Sequence, residues 1–309
     1  MHTMSRASEI SQNVYLGPTP DPALDPETDQ EAFFDIMIET SDLAQVPDTR
    51  SLRTFRKMVE DPNHATLHIE FPSSGSIMPP TWSQVEVDGL MELCRWIYEV
   101  TNPAEEPLDD KDSDGDSLMV SADTLRPQKI LIHCADGYTE TSLLALTYFM
   151  YAEGLPAHEA WVKLHKDKAR NFFAYPSDVA LLTAIQPRIL QESPVFKGNV
   201  LTLQEPMWLS RIDGSLPSRI LPYMYLGNLG HANNPELLKE LGITRILSVG
   251  EPLTWSKEAS DSWSQENLLY LDRVQDNGVD PLTGEFERCL KFIGKTTMFF
   301  SPCCISTNN

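Results

Sequence analysis

The sequence predicts an α/β fold, a central sheet flanked by helices, built twice along the chain with the second copy incomplete. Three observations carry this reading. Strand-like words recur in one order along the chain. Segments with apolar residues at helical spacing lie between them. One stretch, Leu131 to Ser142 (LIHCADGYTETS), runs from a short apolar strand through a tight loop into a long apolar helix.

The recurrence comes first because it sets the domain plan. Ile10, Tyr15, Leu16 and Gly17 in EISQNVYLG match Ile220, Tyr225, Leu226 and Gly227, each pair 210 residues apart. Ile36 and Ile38 match Ile246 and Ser248 at the same offset. LHIEF (67–71) then resembles LYLDR (269–273), and LCRWI (93–97) resembles RCLKFI (288–293). Preserved order over these matches points to an internal duplication. The first domain is expected over 1–190, a linker over 191–214, and a second domain over 215–309.

Within the first copy, residues 9–17 read as a strand with a Gly stop. Residues 82–99 place Val85, Val87, Leu90, Leu93, Trp96 and Ile97 on one helical face. An acidic, Pro- and Ser-containing insert from Thr101 to Gln128 reads as disordered. Inside it Asp110, Asp112, Asp114 and Gly115 imitate the start of a calcium loop, but Ser121 stands where a bidentate Glu is needed, so no metal is expected. Lys129 to His133 reads as a short apolar strand. Ser142 to Ala152 is apolar almost all round, hence a buried helix. Helices follow over Pro156–Lys168 and Pro176–Leu190. The second copy offers strands over 222–226, Arg245–Val249 and Asn267–Arg273, with helices over Pro235–Leu241 and Pro281–Ile293.

Composition narrows the partners. The chain has 309 residues, 41% of them hydrophobic, a formal net charge of −21 and a pI near 4.6. A general attraction to nucleic acid or to an anionic membrane has the wrong sign. No signal-peptide pattern opens the chain and no run is long enough to span a bilayer. An intracellular protein, cytoplasmic or nuclear, with reduced thiols is expected.

The stretch around Cys134 carries the chemistry. A His-Cys pair at a strand end, Gly137 three residues on, and a helix opening at Thr141 and Ser142 is the layout of a loop whose backbone N–H groups cradle an anion. A thiolate at its base is a nucleophile when the local field is positive. This loop instead carries Asp136 and Glu140. Both repel a phosphomonoester of charge about −2 and raise the thiol pKa.

These residues resemble the loop of the dual-specificity, Cys-dependent protein phosphatase family: His-Cys, two residues, Gly, two residues, Arg, then Ser or Thr. The whole chain resembles the fungal tandem-domain type, C-terminally truncated. The resemblance implies a phosphatase-like sheet in each copy and dephosphorylation of phosphoproteins through a Cys-phosphate intermediate, with no cofactor. It implies that Cys134 holds the nucleophile position, His133 precedes it, Gly137 is the loop glycine, Thr141 is the hydroxyl after the clamp, and Glu140 replaces the Arg. The general acid of the second copy falls at Asp276, with Asp280 a weaker candidate. The first copy offers only serine there, in IEFPSSGS (69–76). Neither Cys303 nor Cys304 follows a His. The tail from about Gly294 is therefore expected to be foreign to the family, and strands 220–273 to expose edges and one apolar face. A phosphatase family member with little or no activity of its own is expected; the alternative is a non-catalytic scaffold binding a regulatory protein. The partner is a phosphoprotein or a regulatory protein in either case.

Overall fold

The computed structural model describes residues 6–20, 33–59, 61, 65–75, 83–103, 126–168, 170, 173–198, 204–272, 274, 282–297 and 303–307; for 282, 295–297 and 303–307 the backbone alone is described. The acidic insert from 104 to 125, and with it the calcium-like aspartates, lies outside these residues, as do Asp276 and Asp280. The chain divides into two compact units. One comprises Met4–Ala157 with Ala180–Val200, the other His158–Val179 with Leu201–Asn309 and the first three residues.

The first unit holds a five-stranded sheet. Its strands are β1 (Ser8–Ser11), β2 (Val14–Pro18), β3 (Ile36–Ser41), β4 (Leu67–Pro72) and β5 (Ile130–Cys134), in the spatial order β1-β2-β5-β3-β4. Only β1 is antiparallel. The single strand expected over 9–17 is a hairpin, because Asn13 takes a left-handed conformation (φ 59°) that turns the chain. Strand β5 is central and every residue of it is buried, as its unbroken apolar run requires of a parallel strand covered on both faces. It enters between β2 and β3 after both are laid down. Its C-terminal end is thus the switch point where ligands gather in open α/β sheets.

Helices α1 (Thr49–Val59), α2 (Gln84–Thr101) and α3 (Ser142–Glu153) cover this sheet. The sequence reading passed over α1, although Asp48 accepts from the Ser51 amide and Leu52, Phe55 and Val59 share one face. Helix α2 opens with a capping box between Ser83 and Glu86. Helix α3 is buried on all sides from Ser142 to Ala152, ends at Gly154 in the left-handed conformation, and packs over β1 and against α2. Helices α4 (Ala157–Asp167) and α5 (Pro176–Glu192) follow within a residue or two of their expected bounds.

The second unit repeats the sheet. Strands β6 (Ser218–Leu221) and β7 (Met224–Asn228) form a hairpin in the register of β1 and β2: Ser218 faces Leu226 as Ser8 faces Leu16. Short helices α6 (Leu229–Ala232) and α7 (Pro235–Glu240) lead to β8 (Arg245–Val249), α8 (Lys257–Asp261), β9 (Leu268–Leu271) and α9 (Phe286–Thr297). The tail then forms β10 (Cys303–Thr307), parallel to both β7 and β8, and the order β6-β7-β10-β8-β9 reproduces the first sheet. The expectation that β7 and β8 would be left as open edges is therefore corrected. A parallel strand slot needs backbone N–H and C=O groups at the right spacing, and CCIST supplies them without the His-Cys residues. Among the described residues β10 is the last element.

Candidate functional site

The site stands at the end of β5. The Cys134 carbonyl accepts from the Thr19 amide (2.8 Å) and the Thr19 hydroxyl (3.2 Å), and the His133 carbonyl accepts from the Thr40 hydroxyl (3.3 Å). Since the Thr19 hydroxyl donates to that carbonyl, its oxygen is left to accept from His133 Nδ1, 3.1 Å away. His133 is thus held in the Nδ1–H tautomer. Burial keeps it below the usual histidine range and so neutral, and its Nε2 is buried without a partner.

Gly137 gives the loop its shape. It sits at φ +69°, and a Cβ there would meet the Gly17 carbonyl carbon at 2.2 Å and the Pro18 nitrogen at 2.5 Å. Gly17 is equally constrained, since its own Cβ would stand 2.6 Å from Ala7 Cα. Only a residue without a side chain fits either position. The Gly137 amide then donates to Cys134 Sγ at 3.1 Å, the contact expected of a loop N–H aimed at a thiolate.

The other contacts have the opposite sign. Cys134 Sγ lies 3.2 Å from Glu140 Oε2 and 3.4 Å from Asp136 Oδ1. Both are acceptors, so the sulfur must carry its proton to donate to either, and it can donate to one at a time. Asp136 Oδ1 also accepts the Tyr138 amide at 2.9 Å, taking up a loop N–H that a phosphate oxygen would need. Burial first, then the hydrogen bond to Glu140, push the Cys134 thiol up to about 11, and the backbone amides of Tyr138 and Asp136 offset only part of this. At pH 7 the thiolate fraction is then about 10⁻⁴. One ligand atom each from Cys134, Asp136 and Glu140 lie within 4.8 Å of one another, a spacing that a cation could share. Hydrogen bonds already satisfy the same atoms, and acidic groups this close are common without a metal.

Thr141 and Ser142 both donate their hydroxyls to the Tyr138 carbonyl (3.1 and 3.3 Å) instead of into the loop. The start of α3 is capped from elsewhere: the Leu143 amide donates to Ser74 Oγ at 2.7 Å, and the Ser74 amide donates to the Glu140 carbonyl at 2.9 Å. Ser74 stands in IEFPSSGS at the place matching Asp276 of the second copy. It therefore sits beside the Cys134 loop and pins it to the turn after β4. Sequence reasoning located the serine but not its partners, and it missed Thr19 altogether. The one available signal was that Thr19 closely follows the Gly17 stop of a strand destined to pair with β5.

No protein-family model matches the chain. Its sequence is 30% identical over 342 residues to Dual specificity protein phosphatase PPS1 of Saccharomyces cerevisiae, an alignment covering 84% of this chain and 39% of that protein. The chain is homologous to the dual-specificity protein phosphatases. It spans about two fifths of that relative's length. Among solved structures, Tk-PTP in its active form is 17% identical and covered over 99% of its length by 62% of this chain, with TM-score 0.34. A leucine rich repeat and phosphatase domain containing protein from Entamoeba histolytica is 24% identical, matched over 30% of this chain and 56% of its own, with TM-score 0.24. The fold described here rests on its own strand order and register. As in a dual-specificity phosphatase loop, His133, Cys134 and Gly137 stand in sequence at the end of a central strand; unlike one, the sixth residue after the cysteine is an acid.

Proposed function

We propose that this chain is part of a phosphoprotein phosphatase of dual specificity, and that its first unit does not turn over phosphomonoesters. One observation carries the reading: Glu140 Oε2 stands 3.2 Å from Cys134 Sγ, where the family's attack needs a thiolate and an arginine. A carboxylate there keeps the sulfur protonated and repels the substrate's negative charge. Loss of a guanidinium clamp alone costs on the order of 10² to 10³ in rate. Ser74, tied to Glu140 and Leu143, offers no carboxyl to protonate a leaving oxygen. In this reading Asp276 is the general acid of the second copy, Cys134 is a retained nucleophile position without turnover, and the dephosphorylating chemistry belongs to a nucleophile loop that this chain does not contain. The first unit serves as a folded support or as a surface for a regulatory protein.

The test is turnover of a generic aryl phosphate by the full chain beside Cys134→Ser. The expected result is that the two are indistinguishable. A rate above background that vanishes in the variant overturns the proposal.

Among the described residues no helix is long and apolar enough to cross a membrane.

A further inference from the structure

Basic residues are scarce in this chain, 24 against 45 acidic ones, yet α1 holds Arg50, Arg53, Arg56 and Lys57 within 11 residues and no acid. Its apolar side fixes how it faces. Leu52 and Val59 are buried, and Phe55 packs on Trp96 with ring centroids 6.3 Å apart. At about 100° per residue, Arg50, Arg53 and Lys57 then share the opposite side, and all three are exposed. Arg56, on the flank, pairs with Glu99 of α2. Arg50 stands within electrostatic range of Asp48. Arg53 and Lys57 have no ion pair among the described residues. Beside the stripe, between α1 and β4, lies a groove of about 610 Å³. Lys57, His68, Met58, Ala65 and Leu67 line it, and Asp61 is the one carboxylate among the lining residues. The fold itself does not require such a stripe. In the second unit the connection from β8 to β9 is made by α8, whose sequence KEASD holds one base and two acids.

We infer that the exposed side of α1, with the groove beside it, is a docking surface for an acidic segment of a partner polypeptide that carries an apolar side chain among its carboxylates. The carboxylates meet Arg50, Arg53 and Lys57, and the apolar side chain enters the groove over Met58, which is 47% exposed. Polypeptide is favoured over a longer polyanion for two reasons. The stripe spans about 10 Å of helix, and a nucleic acid or anionic membrane reaching past it meets a chain of net charge −21. The groove also offers apolar carbon to bury, which a phosphate backbone would leave wet. The inference rests on the reading of the first unit as a surface for a regulatory protein, and it locates that surface without using the Cys134 loop.

The probe is a dye-labelled peptide of aspartate and glutamate residues around a central leucine, titrated into the full chain by fluorescence anisotropy. Saturable binding is expected, weakened by added salt and weakened about tenfold in the double variant Arg53→Glu, Lys57→Glu. The double variant Lys197→Glu, Lys257→Glu changes the net charge equally at exposed positions elsewhere and should bind as the parent does. Replacing the peptide's leucine by serine should weaken binding. Carbodiimide coupling gives a readout without any variant, and should join a peptide carboxylate to the Lys57 amine. Cys134→Ser should leave binding unchanged, so this experiment and the aryl phosphate assay can fail separately. Absence of saturable binding, equal loss in both double variants, or coupling confined to other lysines overturns the inference. So does tighter binding of a single-stranded DNA oligonucleotide, which would make the stripe a polyanion site. So does binding that emerges only when Asp109, Asp110, Asp112 and Asp114 are changed to Asn, which would assign the stripe to the chain's own acidic segment.

Discussion

The two sheets share strand order and hairpin register, yet the same positions meet different surroundings. Leu16 is fully buried and Leu226 is 41% exposed, although they lie 210 residues apart in matching words and face Ser8 and Ser218 respectively. Gly17 admits no side chain because backbone of Ala7 crowds it, whereas a Cβ on Gly227 would meet side-chain atoms of His231 and Pro217 at 3.0 and 3.1 Å. Tyr15 packs on Phe34 and under the Lys129 ammonium, but Tyr225 packs on a buried histidine. Strand pairing is thus a property of the backbone pattern, and it survives changes in what lies above and below the sheet. Burial is a property of the layers, and it does not follow from pairing.

The largest expected effect tests this directly. Leu16→Ala removes side-chain atoms from a closed core and should cost about 2–5 kcal/mol of unfolding free energy. Leu226→Ala should cost within about 0.5 kcal/mol, as substitutions at exposed positions do. Urea denaturation of both variants measures the contrast. Equal losses would mean that the face of β6 and β7 is covered in solution, and the comparison would break.

The degree to which the sequence disclosed all this follows from the range of each interaction. Helix α3 was legible because eleven successive buried residues leave a continuous apolar run. Strand β5 was legible for the same reason. The hairpin at Asn13 was not, since one left-handed residue interrupts no hydrophobic pattern. Strand β10 was not, because a short Cys-Cys-Ile-Ser-Thr segment gains its place from partners at 224–228 and 245–248 and not from its own periodicity. In the loop, the charge of Asp136 and Glu140 could be read from spacing alone. The roles of Thr19 and Ser74 could not, as each reaches the loop from a distant part of the chain.

A second contrast concerns acid. Burial pushes His165 down to about 4; the backbone of Arg170 and Pro217 offsets part of this, and Arg219 and His231 add a smaller push downward. An unfolded histidine titrates near 6.5, so between about 6.5 and 4 the unfolded chain binds the proton and the folded one does not. The stability this residue supplies is present above about 6.5 and is lost as the pH falls to about 4, by at most about 3 kcal/mol. The unit carrying the second sheet should therefore weaken over that window. His165→Gln should flatten the acid limb of its unfolding profile, followed by the fluorescence of Trp161 and Trp208, both buried in the same unit. An unchanged limb in the variant would remove His165 from the account of what packs against Tyr225.

The smallest effect probes the loop itself. Cys134 alkylation by iodoacetamide should rise with an apparent pKa near 11, because the reactive species is the thiolate and the folded chain holds it protonated. By linkage the folded state binds that proton above the pH at which the unfolded thiol releases it, so the stability associated with this group is present below about 9 and lost as the pH rises to about 11. Glu140→Gln removes the carboxylate charge but keeps a side chain of the same length. Its reactive pKa should move down toward the ordinary thiol range and stop short of it, since burial, the larger cause, stays. Alkylation of Cys289, which lies in the other unit and is raised mainly by its own burial, should not change. If Glu140→Gln left the Cys134 profile where it was, the carboxylate would not be what holds the proton on sulfur, and the non-catalytic character of the loop would have to rest on the missing guanidinium alone.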